Sequence, residues 1–212
     1  MKKQNVNLKE MTRKQRMSYF WDYYRYHVIV AVFMVVFISS VFFEMRHQPD
    51  ILLNLVLSQP VNETTDWTDL EKELTTSYHA SDIKNETVKI FAYPFGQVES
   101  HYNELTQVYL EKFIAQLAAS ELDVFILNRD DFSYFFEQGI FQPLDETDLL
   151  NQVDDNKHFI ATDGKTYGIQ LAGNAILESY GIDTSDLIMT MFSNTLRQEE
   201  SLEFMLTIYK QK

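Results

Sequence analysis

Residues 28–43 read VIVAVFMVVFISSVFF, with no charge, no Gly and no Pro, and with Ser39 and Ser40 as the polar side chains. An amphipathic surface helix needs a polar stripe every three or four residues, and this run has none. At 1.5 Å per residue it covers about 24 Å, a little short of a hydrocarbon core of roughly 30 Å. Its flanks make up the difference. Phe20, Trp21, Tyr23, Tyr24 and Tyr26 precede it, rings that settle at headgroup level, and Met45 extends the far side. The run predicts one transmembrane helix over residues 25–45.

Working outward, the charge on the two sides differs. Residues 1–27 carry Lys2, Lys3, Lys9, Arg13, Lys14, Arg16 and Arg25 against Glu10 and Asp22, whereas Glu44, Arg46 and Asp50 follow the run. The Lys/Arg bias predicts a cytoplasmic segment 1–24 and an extracytoplasmic domain 48–212 at the cell membrane. A cleaved signal peptide is the alternative, but its n-region would be unusually long and no Ala-x-Ala site follows. Residues 10–27 are read as continuing the helix inward, where Lys14, Arg16 and Arg25 could meet anionic lipid.

The formal charge of −13 is uneven. Through His47 there are eight Lys/Arg and three Asp/Glu, net +5; the remainder has ten against twenty-eight, net −18. An acidic outer domain repels phosphate backbones, which argues against nucleic-acid binding. With no Cys, a disulfide framework, Cys-ligated zinc and thiol catalysis are excluded.

The outer domain alternates strand and helix patterns. Asp50 to Leu57 is a short apolar run stopped by Ser58-Gln-Pro60, hence a buried strand. Asn62 to Asp66 is a turn. Trp67 to His79 has helical spacing, Val88 to Phe95 alternates up to Pro94-Phe-Gly96, Ser100 to Ala119 is a second helix, and Leu122 to Leu127 a third strand. The order β-α-β-α-β predicts an α/β sheet with parallel neighbours. Arg129 to Gln138 follows as an aromatic helix closed by Gly139. His158 to Ala161 and Thr166 to Leu171 form a hairpin whose Asp163-Gly164 suits a type I′ turn. Asp186 to Ser193 is a last strand and Arg197 to Lys210 a closing helix.

Three stretches in this order resemble extracellular (type 2) solute-binding proteins, the receptors of ABC importers: LDVFILNRDDFSYFFEQGIFQPLDE at 122–146, DGKTYGIQL at 163–171 with Gln170 where Pro is usual, and NTLRQEESLEFMLTIY at 194–209. The anchor with its WDYYRYH flank is similar to short, uncharacterised membrane proteins of Gram-positive bacteria. The resemblance implies a fold like one lobe of such a receptor. In that family the Tyr-Gly-Ile-Pro stretch leads into a second lobe, whereas here about 23 residues separate Leu171 from Asn194, too few for a domain.

Little points to catalysis. His27, His47, His79, His101 and His158 are scattered without ligand spacing, and the acids between Asp145 and Asp163 lack a calcium-loop pattern. No nucleophile elbow, phosphate loop or dinucleotide loop is present, so neither an enzyme nor a cofactor or metal is expected. Phe132, Phe135, Phe136 and Phe141 suit a stacking platform, but their near-helical spacing favours the core. Asn62-Glu-Thr and Asn85-Glu-Thr match the glycosylation pattern. A ligand site in an open α/β sheet lies at the C-terminal ends of the strands, which selects Tyr93, Phe95, Asn128, Arg129, Asp130 and Tyr167. The resemblance adds that the loop after the Asp123 strand, Asn128 to Asp130, borders the cleft. The expected function is a non-catalytic, membrane-anchored module for a partner protein, a membrane (importer or sensor) complex or a homodimer. The alternative is a solute or peptide receptor binding a small molecule in a reduced or dimer-completed cleft.

Overall fold

The computed structural model describes residues 12–47, 50–59, 66–78, 86–95 and 104–211. The expected basic N-terminus through Met11, most of the turn at 62–66, Gly96, the start of the helix at 100–103, His79, His101 and both Asn of the glycosylation patterns lie outside them. The chain divides into two compact units, Met1–Gln48 and Pro49–Lys212.

Among the described residues the first unit is one helix, α1, Arg13–His47. Within it Tyr24–Phe43 is long and apolar enough to cross a membrane, by the same length and composition that would suit a signal sequence. None of that stretch is buried inside the protein. Phe33, Val35, Phe37, Phe42 and Phe43 are all exposed, although burying a side chain of this kind is worth about 1.5–3 kcal/mol.

The second unit is a six-stranded mixed sheet with helices on both faces. Its strands are β1 (Asp50–Ser58), β2 (Glu86–Tyr93), β3 (Val124–Asn128), β4 (His158–Ile160), β5 (Thr166–Gln170) and β6 (Leu187–Met191). Its helices are α2 (Thr68–Tyr78), α3 (Glu104–Ala118), α4 (Arg129–Glu137), α5 (Ala175–Ser179) and α6 (Gln198–Tyr209). The sheet order is β2-β1-β3-β6-β5-β4. β1 pairs in parallel with β2 and β3, as the alternation of strand and helix requires. β6 enters between β3 and β5 and runs antiparallel to both.

Side chains of alternate strand positions face two different cores. Leu53, Leu55, Leu57, Val124, Ile126 and Met189 join α2, α5 and α6 in a mainly aliphatic layer. Val56, Phe125, Leu127 and Ile188 join α3 and α4 in the other layer, where eight of the twelve buried members are aromatic. Phe95 touches Phe135, Phe113, Tyr93 and Phe125 at centroid distances of 4.9, 5.0, 5.3 and 5.9 Å. Phe132, Phe135 and Phe141 are buried here and Phe136 packs against them, so these rings are core rather than a platform.

The β2 edge of the sheet is closed by α2. Val88 N–H donates to Thr75 Oγ1 and Ile90 N–H to Glu71 Oε1, each at 2.9 Å, while Lys89 Nζ lies 3.0 Å from Glu71. Outward N–H groups of an edge strand are a template for foreign strands; here the neighbouring helix occupies them.

The hairpin differs from its expected turn. Gly164 N–H donates to Ala161 O at 3.0 Å and Ala161 N–H to Lys165 O at 2.9 Å. Gly164 has φ +83°, but Asp163 does not share it: Ser120 is the one non-glycine of positive φ among the described residues. A type I′ turn needs positive φ at both central positions; the three-residue loop with Gly in the left-handed position needs it at one. Opposite the turn the register slips between Phe159 and Ile160, which makes Tyr167 the extra residue of β5 and turns its ring onto the α4 side, 5.0 Å from Phe136.

Candidate functional site

β1, β2 and β3 are parallel, so Ser58, Tyr93 and Asn128 end them on one side of the sheet. β3 runs straight into α4, and Asn128 caps it: its Oδ1 accepts from Asp131 N–H at 2.8 Å. In return Asn128 Nδ2 donates to Asp131 Oδ2 at 3.0 Å, a reciprocal cap in the manner of a capping box. Ser58 Oγ reaches the same Oδ2 from β1 at 2.5 Å. Both side-chain donors fall on Oδ2, leaving Oδ1 without a hydrogen-bond partner among the described residues.

Asp131 is 9% exposed. Burial pushes its carboxyl above the usual range, the Ser58 and Asn128 bonds pull the other way, and neighbouring Asp130 adds to the rise. A buried carboxylate of this kind at the strand ends is a candidate site on physical grounds. Beside it Arg129 lies 3.4 Å from Asp186 and 5.0 Å from the Phe159 ring centroid. Both partners of that ion pair are more than half exposed, so solvent screens it and its contribution is small. Among the described residues no three His, Asp or Glu form a metal cluster.

The six residues expected from the sequence are not brought together. Asn128, Arg129 and Asp130 sit at the start of α4 as expected, with Asp130 exposed. Tyr93 and Phe95 lie in the core, 1% and 6% exposed. Tyr93 donates to Gln116 Oε1, and its hydroxyl is pushed up to about 12, first by burial and then by Glu121. Tyr167 belongs to the hairpin. It lies near the start of β5, whose next residue pairs with Thr190, itself opposite Phe125 early in β3. Its hydroxyl donates to Asp163 at 2.9 Å, away from the Asn128 end.

Ser58 and Asp131 escaped the sequence reading. The spacing Asn128-x-x-Asp131 before an apolar helix carries a capping signal, but nothing local joins it to Ser58, 73 positions away. A separate depression is lined by Lys157, Gln170, Leu171, Ala172, Asn174 and Tyr209 and holds about 190 Å3, open solvent included. That is below the roughly 300 Å3 at which small-molecule pockets begin, and Lys157 Nζ already donates to Ala172 O at 2.9 Å.

No protein-family model matches this chain, and no curated protein matches it. Among solved structures it is similar to the ABC substrate-binding protein Lmo0181 from Listeria monocytogenes in complex with cycloalternan, at 18% identity and a TM-score of 0.32. The match covers 57% of this chain and 28% of that chain, so this chain spans under a third of that protein's length. What stands is a mixed α/β unit built on a single sheet, with one apolar helix near the N-terminus.

Proposed function

We propose that this protein is a membrane-anchored, non-catalytic module whose α/β unit lies outside the cell and binds a partner protein or scaffolds a membrane complex. The observation that carries this reading is the engagement of the strand-end polar groups with one another. Ser58 and Asn128 both donate to Asp131 Oδ2, Arg129 pairs with Asp186, and Tyr93 and Phe95 are sunk in the core. The uncovered Tyr24–Phe43 helix supports the anchor, and the basic flank supports the orientation.

The absence of Cys makes the test clean. Met17→Cys and Leu196→Cys place single thiols at sites 76% and 82% exposed. A membrane-impermeant maleimide on intact cells is expected to label position 196 and to label 17 only after lysis. Labelling of 17 alone on intact cells would reverse the orientation. Crosslinking from position 196 then tests for a protein neighbour, and recovery of monomer only would count against the module.

A second reading, a solute or peptide receptor, is favoured by the unpaired Oδ1 of Asp131 at the strand ends. Thermal unfolding against pooled sugars, peptides, amino acids and divalent ions tests it. A binder at a hundredfold excess over its dissociation constant stabilises by about 2.7 kcal/mol.

A further inference from the structure

α1 starts eleven residues before Tyr24, where the apolar stretch begins, and runs through without a break. At 1.5 Å per residue the added segment is about 16 Å long. The polar layer on each side of the hydrocarbon is about 5–8 Å deep, so the start of an upright helix stands about 8–11 Å above it, on the order of one screening length at physiological salt. That turn carries Arg13, Lys14 and Arg16 and no acid. Cations are disfavoured at a helix N-terminus, where the backbone dipole is already positive, so these three oppose the helix that bears them. At the start of the apolar stretch itself, Arg25 lies 4.7 Å from the Tyr26 ring centroid and donates to its hydroxyl at 3.0 Å. Trp21 and Tyr26 are both exposed.

We infer that the helical segment Arg13–Tyr26 is a docking surface for anionic phospholipid headgroups of the membrane in which α1 is anchored. Charge complementarity selects this occupant. A layer of phosphates offsets the clash between the first-turn cations and the helix dipole, and exposed aromatic rings suit the same depth. The inference rests on the anchor reading above and adds to it a preference for lipid charge.

The test uses the full chain as Met17→Cys, labelled with an environment-sensitive fluorophore and reconstituted into vesicles of phosphatidylcholine with or without phosphatidylglycerol. Phosphatidylglycerol is expected to blue-shift the probe and reduce quenching by neutral acrylamide. Both effects should vanish at 1 M salt, where the screening length is about 3 Å, and in the triple variant Arg13→Gln, Lys14→Gln, Arg16→Gln. Identical spectra in both vesicles, or a shift that survives in the triple variant, overturns the proposal. Shielding seen only in native membranes assigns the segment to an acidic protein instead and overturns it too. Release of the chain by alkaline carbonate overturns the anchor itself, and the inference with it; retention with no lipid effect sinks the inference alone.

Discussion

Arg197 donates from Nη1 to Oδ2 of Asp123 at 2.9 Å, joining residues 74 positions apart. Asp123 is fully buried, whereas the Arg197 side chain is 34% exposed. The same carboxylate accepts Asn54 N–H at 2.8 Å and Thr195 Oγ at 2.5 Å. One acid thus ties β1, β3 and the approach to α6. Breaking a buried pair by removing one partner costs about 3–5 kcal/mol, and the two ends are unequal. Asp123→Ala strands three donors and is expected near that figure. Arg197→Ala leaves two donors on the carboxylate and opens it to water, for about 1–3 kcal/mol. Urea midpoints of the two variants check the order; equal losses would contradict it.

Gly168 of β5 packs tightly against β6. A Cβ there would lie 2.5 Å from Ile188 Cγ2 and 2.9 Å from the Met189 carbonyl oxygen. The side chain could yield but the backbone could not, so Gly168→Ala is expected to destabilise by about 1–3 kcal/mol. Adding Ile188→Ala would relieve the first contact and not the second. Thermal unfolding of the single variant at wild-type temperature would show that the strands part without cost.

The α2 cover over β2 predicts a coupled loss of stability and solubility. Glu71→Ala or Thr75→Val leaves an edge N–H without its partner, at about 1–3 kcal/mol where the group stays dry. The exposed edge also invites strand addition. Light scattering on heating should rise with protein concentration more steeply than in the parent protein. An unchanged midpoint with unchanged scattering would show that water replaces both side chains freely.

The carboxyl of Asp131 titrates above its ordinary 3.8 because burial disfavours the charge. The folded state therefore holds this proton more tightly than the unfolded chain does. Its contribution to stability is greatest below pH 3.8 and declines as pH rises through the folded value. Asp131→Asn keeps an oxygen for Ser58 and Asn128 and removes the charge. It should be neutral or stabilising at pH 7, and the gain should shrink on acidification. Melting temperatures across that window decide, and a variant less stable at every pH would show that the charge is needed.

How much was legible follows from the range of each signal. The parallel neighbours, the hairpin and the aromatic α4 were readable because side-chain periods of two and 3.6 are local. α5, five residues capped by Asn174, is too short to show a period. The turn type was missed because Asp-Gly suits two loops, and the slip at Tyr167 chose between them.

The sequence alone determined the apolar stretch within α1, the asymmetry of charge around it and the succession of strands and helices that follows it. Each depends on composition or spacing within a few residues. Tertiary structure alone decided that β6 enters antiparallel between β3 and β5, that Tyr93 and Phe95 are buried, and that Ser58 meets Asp131. Twenty-eight acids follow His47 in the sequence; which of them lose water depends on packing between segments some seventy residues apart, and no local pattern records that.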